Sequence, residues 1–326
     1  LSAAGSSSEN SGLTVAGDQA GQTLAAVVRA LLPGTSWNQA RELCRSGRVT
    51  VDGEAAADPA RRLEAGERVE LRVGGPAPRQ PALTDLVIHL DADVAVVEKP
   101  AGLLTVPFER GDKDTLLALA RVAVRRIEKD NATLRAVQRL DKETSGLVVF
   151  ARTVAAQRRL QEQLAAHTVT RRYLAIVHGE ARDAVHDTLL VPDRGDGLRG
   201  SWRVRRAVRG EAPETPETPE GTKRAVTRVR VVERLSGATL VACELETGRQ
   251  HQIRIHLSEA GHPLVGETVY IRDHRGPVIP APRPMLHAAV LGFAHPRTEK
   301  PLRFESPPPA DFQAVLRRLR RSQKKG

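Results

Sequence analysis

Apolar residues change their spacing several times along the chain, and each change predicts an element. Leu24, Val27, Val28 and Leu31 recur at helical intervals, and Pro33-Gly34 ends that helix. A second helix is expected from Ser36. Ser36 and Gln39 form a capping box, Ala40, Leu43 and Cys44 supply an apolar face, and Gly47 closes the C-terminal end. Residues 49–54 then read as a strand with an Asp52-Gly53 hairpin turn, and residues 66–73 as a later alternating strand. Beyond a Pro- and Gly-rich stretch at 74–81, two strands at 87–90 and 94–97 flank a turn at 91–93. The apolar run 147–151 predicts a buried strand, and 154–167 a helix with Leu160 and Leu164 on one face. Period-two alternation at 226–232 and an apolar run at 238–245 predict adjacent strands. Residues 249–259 read as a helix that stops at Gly261, with Pro263 beyond it.

These elements suggest two domains of α+β type. Residues 1–17, rich in Ser, Gly, Ala and Asn, are expected to be a disordered tail. Helix, helix and hairpin occupy 18–74, and 75–85 is the expected linker. Residues 86–316 form a larger domain with a mobile loop at about 190–223, which includes the acidic repeat at 214–220. A basic tail is expected at 317–326.

Charge narrows the class of partner. The 326 residues carry a net charge of +11, and the arginines cluster, which favours a polyanion. Arg41, Arg45 and Arg48 fall at i, i+4 and i+7, a basic stripe. Two cysteines far apart, Cys44 and Cys243, give no disulfide framework and no thiolate metal site, which suits a reducing cytoplasm. No apolar run of membrane-spanning length exists, and neither a basic n-region nor an apolar h-region marks the start of the chain. Asp91 and Asp93 form a D-x-D pair, but no third hard ligand lies nearby in sequence, so a surface turn accounts for them. His251 and His256 are five apart, off a common helical face, and do not suggest zinc.

The segment most suggestive of chemistry is Gln138-Arg139-Leu140-Asp141-Lys142-Glu143-Thr144-Ser145-Gly146, a polar loop that runs into the apolar 147–151 strand. Cations at 139 and 142 favour an ionised Asp141, suited to nucleophilic attack or charge pairing rather than proton donation. An ordinary ion-paired turn would carry the same residue types. A glycosidase pair made of Asp141 and Glu143 is disfavoured, because the two lie only two residues apart on one loop and no aromatic sugar cleft accompanies them.

Arg-Leu-Asp-x-x-Thr-Ser-Gly-Leu at 139–147 resembles the signature of the RluA-type pseudouridine synthases, which isomerise uridine within RNA. Further segments match in the family's order. They are Lys99-Pro100-Ala101-Gly102, Arg171-Arg172-Tyr173-Leu174, Gly248-Arg249-Gln250-His251-Gln252-Ile253-Arg254, and a closing pair of strands at Leu286-His287-Ala288 and Phe293-Ala294-His295-Pro296. The resemblance covers roughly residues 86–313, and the smaller domain is similar to an S4 RNA-binding domain.

The resemblance implies a mixed, mainly antiparallel sheet flanked by helices. It also implies cleavage of the uridine C1'–N1 bond, rotation of the uracil and formation of a C1'–C5 bond, with no cofactor and no metal. Asp141 would be the nucleophile or the base that forms a glycal. Tyr173 would lie against the target base, and Arg254, one and a half turns into its helix, would pair with Asp141. Arg139 would fill the space left by the turned-out base. Lys99, Arg249 and His251, with Arg41, Arg45 and Arg48, are nominated as RNA contacts. The expected partner of this monomer is ribosomal RNA, with transfer RNA as the other option. Gln138 stands where the family commonly has His, Gln250 where it has Thr, and Tyr270-Ile271 where it has Tyr-Gly. The first departure keeps open a non-catalytic RNA assembly factor with the same fold.

Overall fold

The computed structural model describes residues 11–46, 48–56, 58–71, 82–109, 112, 114–129, 133–202 and 219–323. The chain divides into two compact units, Leu1–Ala82 and Leu83–Gly326.

The smaller unit contains β1 (Ser11–Thr14), α1 (Leu24–Leu31), α2 (Trp37–Arg45), β2 (Val49–Val51), β3 (Glu54–Ala55) and β4 (Arg68–Leu71). Thr23 caps α1 through the Ala26 amide, and Ser36 and Gln39 cap α2 reciprocally. The apolar faces of both helices, including Leu24, Val28 and Cys44, close over Val49 and Val69 of an antiparallel sheet ordered β1-β4-β2-β3. Asp52 and Gly53 both have positive φ, 53° and 85°, the conformation that a two-residue hairpin turn demands.

Two expectations for this unit need correction. Residues 11–14 are not a disordered tail: Ser11 to Thr14 pair in register with Leu71 to Arg68, and 17–19 form a short 3-10 turn. The partner strand imposes that order, so the local sequence gives no sign of it. Arg48 is not on the helix, because α2 ends at Arg45; the stripe retains only Arg41 and Arg45, both exposed. Gly47 and most of the expected linker, 75–81, lie outside the described residues.

The larger unit opens with β5 (Val87–Leu90), β6 (Val94–Lys99), α3 (Leu116–Glu128), β7 (Arg135–Ala136), β8 (Ser145–Ala151), α4 (Val154–Ala165) and β9 (Thr170–His178). It continues with β10 (Ala184–Val191), β11 (Gly200–Ser201), β12 (Lys223–Leu235), β13 (Ala238–Leu245), α5 (Gln252–Glu259), β14 (Leu286–Ala294), β15 (Pro301–Glu305) and α6 (Ala310–Gln323). Its sheet runs β11-β10-β12-β13-β9-β14-β8-β6-β5, with β15 on β14 and β7 on β8. The β14–β8 pair is parallel and the other described pairs of this sheet are antiparallel.

Near-continuous apolar strands signal burial on both faces, and the sheet is covered accordingly. Ala95 and Val97, Val148 and Phe150, and Tyr173, Ala175 and Val177 face α3 and α5. Val94, Val96, Leu147 and Val149 face α4, while Ile176 and Leu240 face α6. Residues 317–323 are therefore no loose tail: Phe312, Val315, Leu316 and Leu319 bury one stripe of α6, and the helix carries the basic residues onward. The two segments expected to form closing strands share one strand, β14, apart from His295 and Pro296, and its partner begins only at Pro301. In the expected mobile loop, β10, β11 and β12 order 190–191, 200–201 and 223, whereas 203–218 lie outside the described residues.

Helix α5 is fastened to the sheet by a buried imidazole. His256 Nδ1 and Nε2 lie 2.8 Å from Thr227 Oγ1 and 3.0 Å from Thr188 Oγ1. Burial pushes His256 down to about 4 from its ordinary 6.5. Below pH 6.5 the unfolded chain therefore takes up a proton that the folded chain refuses, and stability falls until about pH 4. His256→Gln is expected to remove on the order of 3 kcal/mol of that acid-side loss. Urea midpoints measured from pH 7 to 4 check this, and an identical slope in both proteins would refute it.

Candidate active site

Asp141 sits on the loop entering β8, and two buried cations hold that loop from behind. Lys99 is fully buried, and its Nζ donates to Pro100 O at 3.0 Å and to Lys142 O and Thr144 O at 2.8 Å each. Arg283 donates through Nη1 to Glu143 O at 3.0 Å and through Nη2 to Ser145 Oγ at 3.2 Å, while Asp311 takes its Nε at 2.6 Å. Three consecutive carbonyls after Asp141 are thus fixed by side chains from distant strands and loops. Thr105 adds a hydroxyl that bonds both the amide and the carbonyl of Leu140. Gly146, at φ 115°, completes the turn: a Cβ there would lie 2.3 Å from Ala288 O, so only glycine lets β8 meet β14.

Lys99 is consequently not an RNA contact. Its three donors are spent on carbonyls, and burial pushes its amine down to about 8, opposed by the carboxylates of Glu143 and Asp141. A lysine in sequence suggests surface charge, whereas this one braces the loop.

Arg254 approaches Asp141 from α5. Its Nη1 lies 4.0 Å from Asp141 Oδ2, and His251 Nε2 lies 4.0 Å from Oδ1. The helix starts later than expected, at Gln252, so Arg254 falls in its first turn, not one and a half turns in. His251 precedes the helix in a left-handed conformation with φ 58°, a break that the residue pattern does not announce. This turns its ring toward the cavity, with Nδ1 2.8 Å from the Tyr270 hydroxyl.

Sequence reasoning missed Glu267, whose side chain is wholly buried against Arg254. Nε and Nη2 of Arg254 donate to its two oxygens at 2.8 and 2.6 Å, and Oε1 also accepts from the Val269 amide. Burial opposes both charges, but the fork lowers the Glu267 carboxyl and raises Arg254, so the pair stays ionised. The one available signal was an isolated acid between residues 260 and 272, amid apolar neighbours. Tyr270 was also missed; its ring lies 5.2 Å beneath the Arg254 guanidinium.

These groups open on a cavity of about 700 Å³, lined among others by Gln138, Arg139, Asp141, Tyr173, Arg249 and Arg254. Tyr173 is buried, and burial pushes its hydroxyl up to about 12, so it is protonated at neutral pH. Arg139 is exposed, and Arg249 is exposed with its Nε on Arg224 O at 3.0 Å. Arg41, Arg45 and Arg48 belong to the other unit.

Elsewhere in the larger unit, His295 comes beside Asp91 and Asp93 as a third potential ligand, an imidazole nitrogen rather than a hard oxygen donor. Yet Arg297 takes Asp93 in a fork at 2.6 and 2.8 Å, and His89 and His295 lie 2.8 and 3.2 Å from Asp91 Oδ2. Both carboxylates of the cluster are thus already engaged by protein side chains.

The RNA pseudouridylate synthase family profile matches residues 93–259, and the S4 domain profile matches 22–69. The "Ribosomal large subunit pseudouridine synthase D" of Nitrosomonas europaea is 36% identical over 333 residues, covering 98% of this chain and 91% of that protein. The chain belongs to the RNA pseudouridylate synthase family. It is likewise 35% identical to the "Uncharacterized RNA pseudouridine synthase YlyB" of Bacillus subtilis, over 88% of this chain and 90% of that one. The solved structure of "Human RNA Pseudouridylate Synthase Domain Containing 4" shares the fold, with a TM-score of 0.61 at 24% identity over 73% of this chain and 94% of its own. This synthase is thus an isomerase that carries an S4 domain ahead of its catalytic domain.

Because Lys99 holds the loop that presents Asp141, Lys99→Met is expected to cost roughly 2–4 kcal/mol through orphaned carbonyls and to lower kcat more than it raises KM. Chemical denaturation and steady-state kinetics check both effects. Unchanged turnover would disprove the bracing role.

Proposed function

We propose that this synthase isomerises uridines in ribosomal RNA, with Asp141 as the reacting carboxylate, Tyr173 against the target base and Arg254 holding Asp141. The observation that carries the reading is the convergence of those three side chains on one cavity large enough for a nucleoside. Ribosomal RNA is supported by the names of several relatives. In the reaction C1'–N1 breaks, the uracil turns, C1' bonds to C5, and the C5 proton departs while N1 gains one. Atoms balance without oxidant or water. Asp141 acts either by attack or by proton abstraction that yields a glycal, and both routes need a carboxylate held by fixed cations. The ring of Tyr173 stacks on the base, and its protonated hydroxyl donates or relays a proton.

Arg139, at the exposed rim, enters the space left by the turned-out base. Arg249 and His251 contact the RNA at the cavity, and Arg41, Arg45 and Arg48 contact it through the S4 domain. The protein works as a cytoplasmic monomer, a location that suits two buried, unpaired thiols. No observation favours the non-catalytic reading, since Gln138 lines the cavity without displacing Asp141, Tyr173 or Arg254.

Tritium release from RNA labelled at uridine C5 tests the proposal. The parent is expected to release tritium from ribosomal RNA, and Asp141→Ala to release none. Tyr173→Phe is expected to keep RNA affinity within about twofold while turnover drops roughly a hundredfold, the usual range for a lost proton-transfer group. Binding without release on ribosomal, transfer and precursor RNA would overturn the reading.

A further inference from the structure

Arg171 is a buried cation that has no anion. It projects from β9 two residues before Tyr173, on the same face and about 7 Å along the strand. Only 9% of the residue is exposed. Its Nη2 donates to Glu246 O at 2.9 Å and, more weakly, to Leu245 O at 3.4 Å. Nε is fully enclosed and bonds to nothing, the one such side-chain atom among the described residues. No carboxylate pairs with the guanidinium among those residues. Its charged form is disfavoured by burial and by the neighbouring Arg249. An unpaired buried charge of this kind is costly and is rarely kept without a counter-charge.

Gly248 indicates where the counter-charge comes from. Its φ is not in the left-handed region, so the backbone does not call for glycine there. What glycine supplies is room, because a Cβ would lie 2.5 Å from Arg171 Nη1. The opening belongs to the wall of the cavity that holds Asp141 and Tyr173.

We infer that Arg171, reached past Gly248 and assisted by Arg249, binds a backbone phosphate of the RNA next to the nucleotide turned toward Tyr173. This rests on the reading of the cavity as the uridine site. A phosphate is the fitting ligand: it brings the missing negative charge and several acceptors, and every nucleotide that enters carries one. The site would sense insertion, since its cation is compensated only when the strand is seated. Such an interaction is spent on orienting the nucleotide at the reacting carboxylate.

Two measurements test the site. The first does not depend on turnover. The Arg171 Nε–H resonance, assigned by its loss in Arg171→Lys, is followed while uridine, inorganic phosphate or a uridine-containing oligonucleotide is added. It is expected to shift saturably with the oligonucleotide and with phosphate but not with uridine. A resonance unmoved by every phosphate-bearing probe would overturn the inference.

The second uses the shortest ribosomal RNA fragment that the parent modifies, with single linkages around the target replaced by neutral methylphosphonate. One linkage is expected to cost the parent roughly tenfold in kcat/KM, the loss of a charge-assisted hydrogen bond. The same linkage should cost Arg171→Met and Gly248→Ala about twofold or less. Equal costs in parent and variants would make Arg171 a structural brace and sink the inference. Failure of the parent on unmodified RNA would instead count against the uridine reading, while the resonance still decides the phosphate site.

Discussion

The clamp of Lys99 and Arg283 on the carbonyls of residues 142–144 is the constraint on which the rest of the site depends. A loop is ordinarily the most mobile part of a fold, whereas the role proposed for Asp141 needs a carboxylate fixed to a fraction of an ångström. Two buried cations resolve that conflict. They satisfy backbone acceptors that strand pairing leaves open, and they bring positive charge close to Asp141 without covering it. The clamp is also why the sheet tolerates a polar turn at the entry to β8: of the two buried cations that form it, Arg283 has Asp311 as its acid and Lys99 has all its protons on oxygen.

In front of the loop the arrangement is looser. Arg254 and His251 stand 4.0 Å from the two Asp141 oxygens, beyond hydrogen-bond contact, while each is tied tightly to something else. Glu267 and Tyr270 thus set the positions of the groups that set the field at Asp141. Among the described residues no hydrogen-bond donor occupies the Asp141 carboxylate, which leaves its lone pairs open to the cavity.

How much of this was legible follows from the range of the interactions. Asp141, Tyr173 and Arg254 stand in contiguous segments whose order is itself a signature, and the α1 and α2 boundaries rest on caps three residues long. The braces are different in kind. Arg283 meets Glu143 across 140 positions and Arg297 meets Asp93 across 204, distances over which no local pattern carries information. Lys99 misled because charge in a sequence suggests solvent, and only the packing reveals three carbonyls around it. The start of α5 was misplaced for a local reason: His251 takes a left-handed conformation that its residue type does not demand. Ser11–Thr14 was missed because its strand exists only by pairing with β4.

Strand β14 runs between β8 and β9, parallel to the first and antiparallel to the second. The loop bearing Asp141 leads into β8, and Tyr173 stands on β9, so the two share no hydrogen-bonded edge except through β14. That strand is made from residues 286–294, more than a hundred positions after either. The carboxylate and the ring can therefore come into register only after most of the chain has left the ribosome. During its own synthesis the polypeptide holds both the carboxylate and the ring while lacking the seam that joins them.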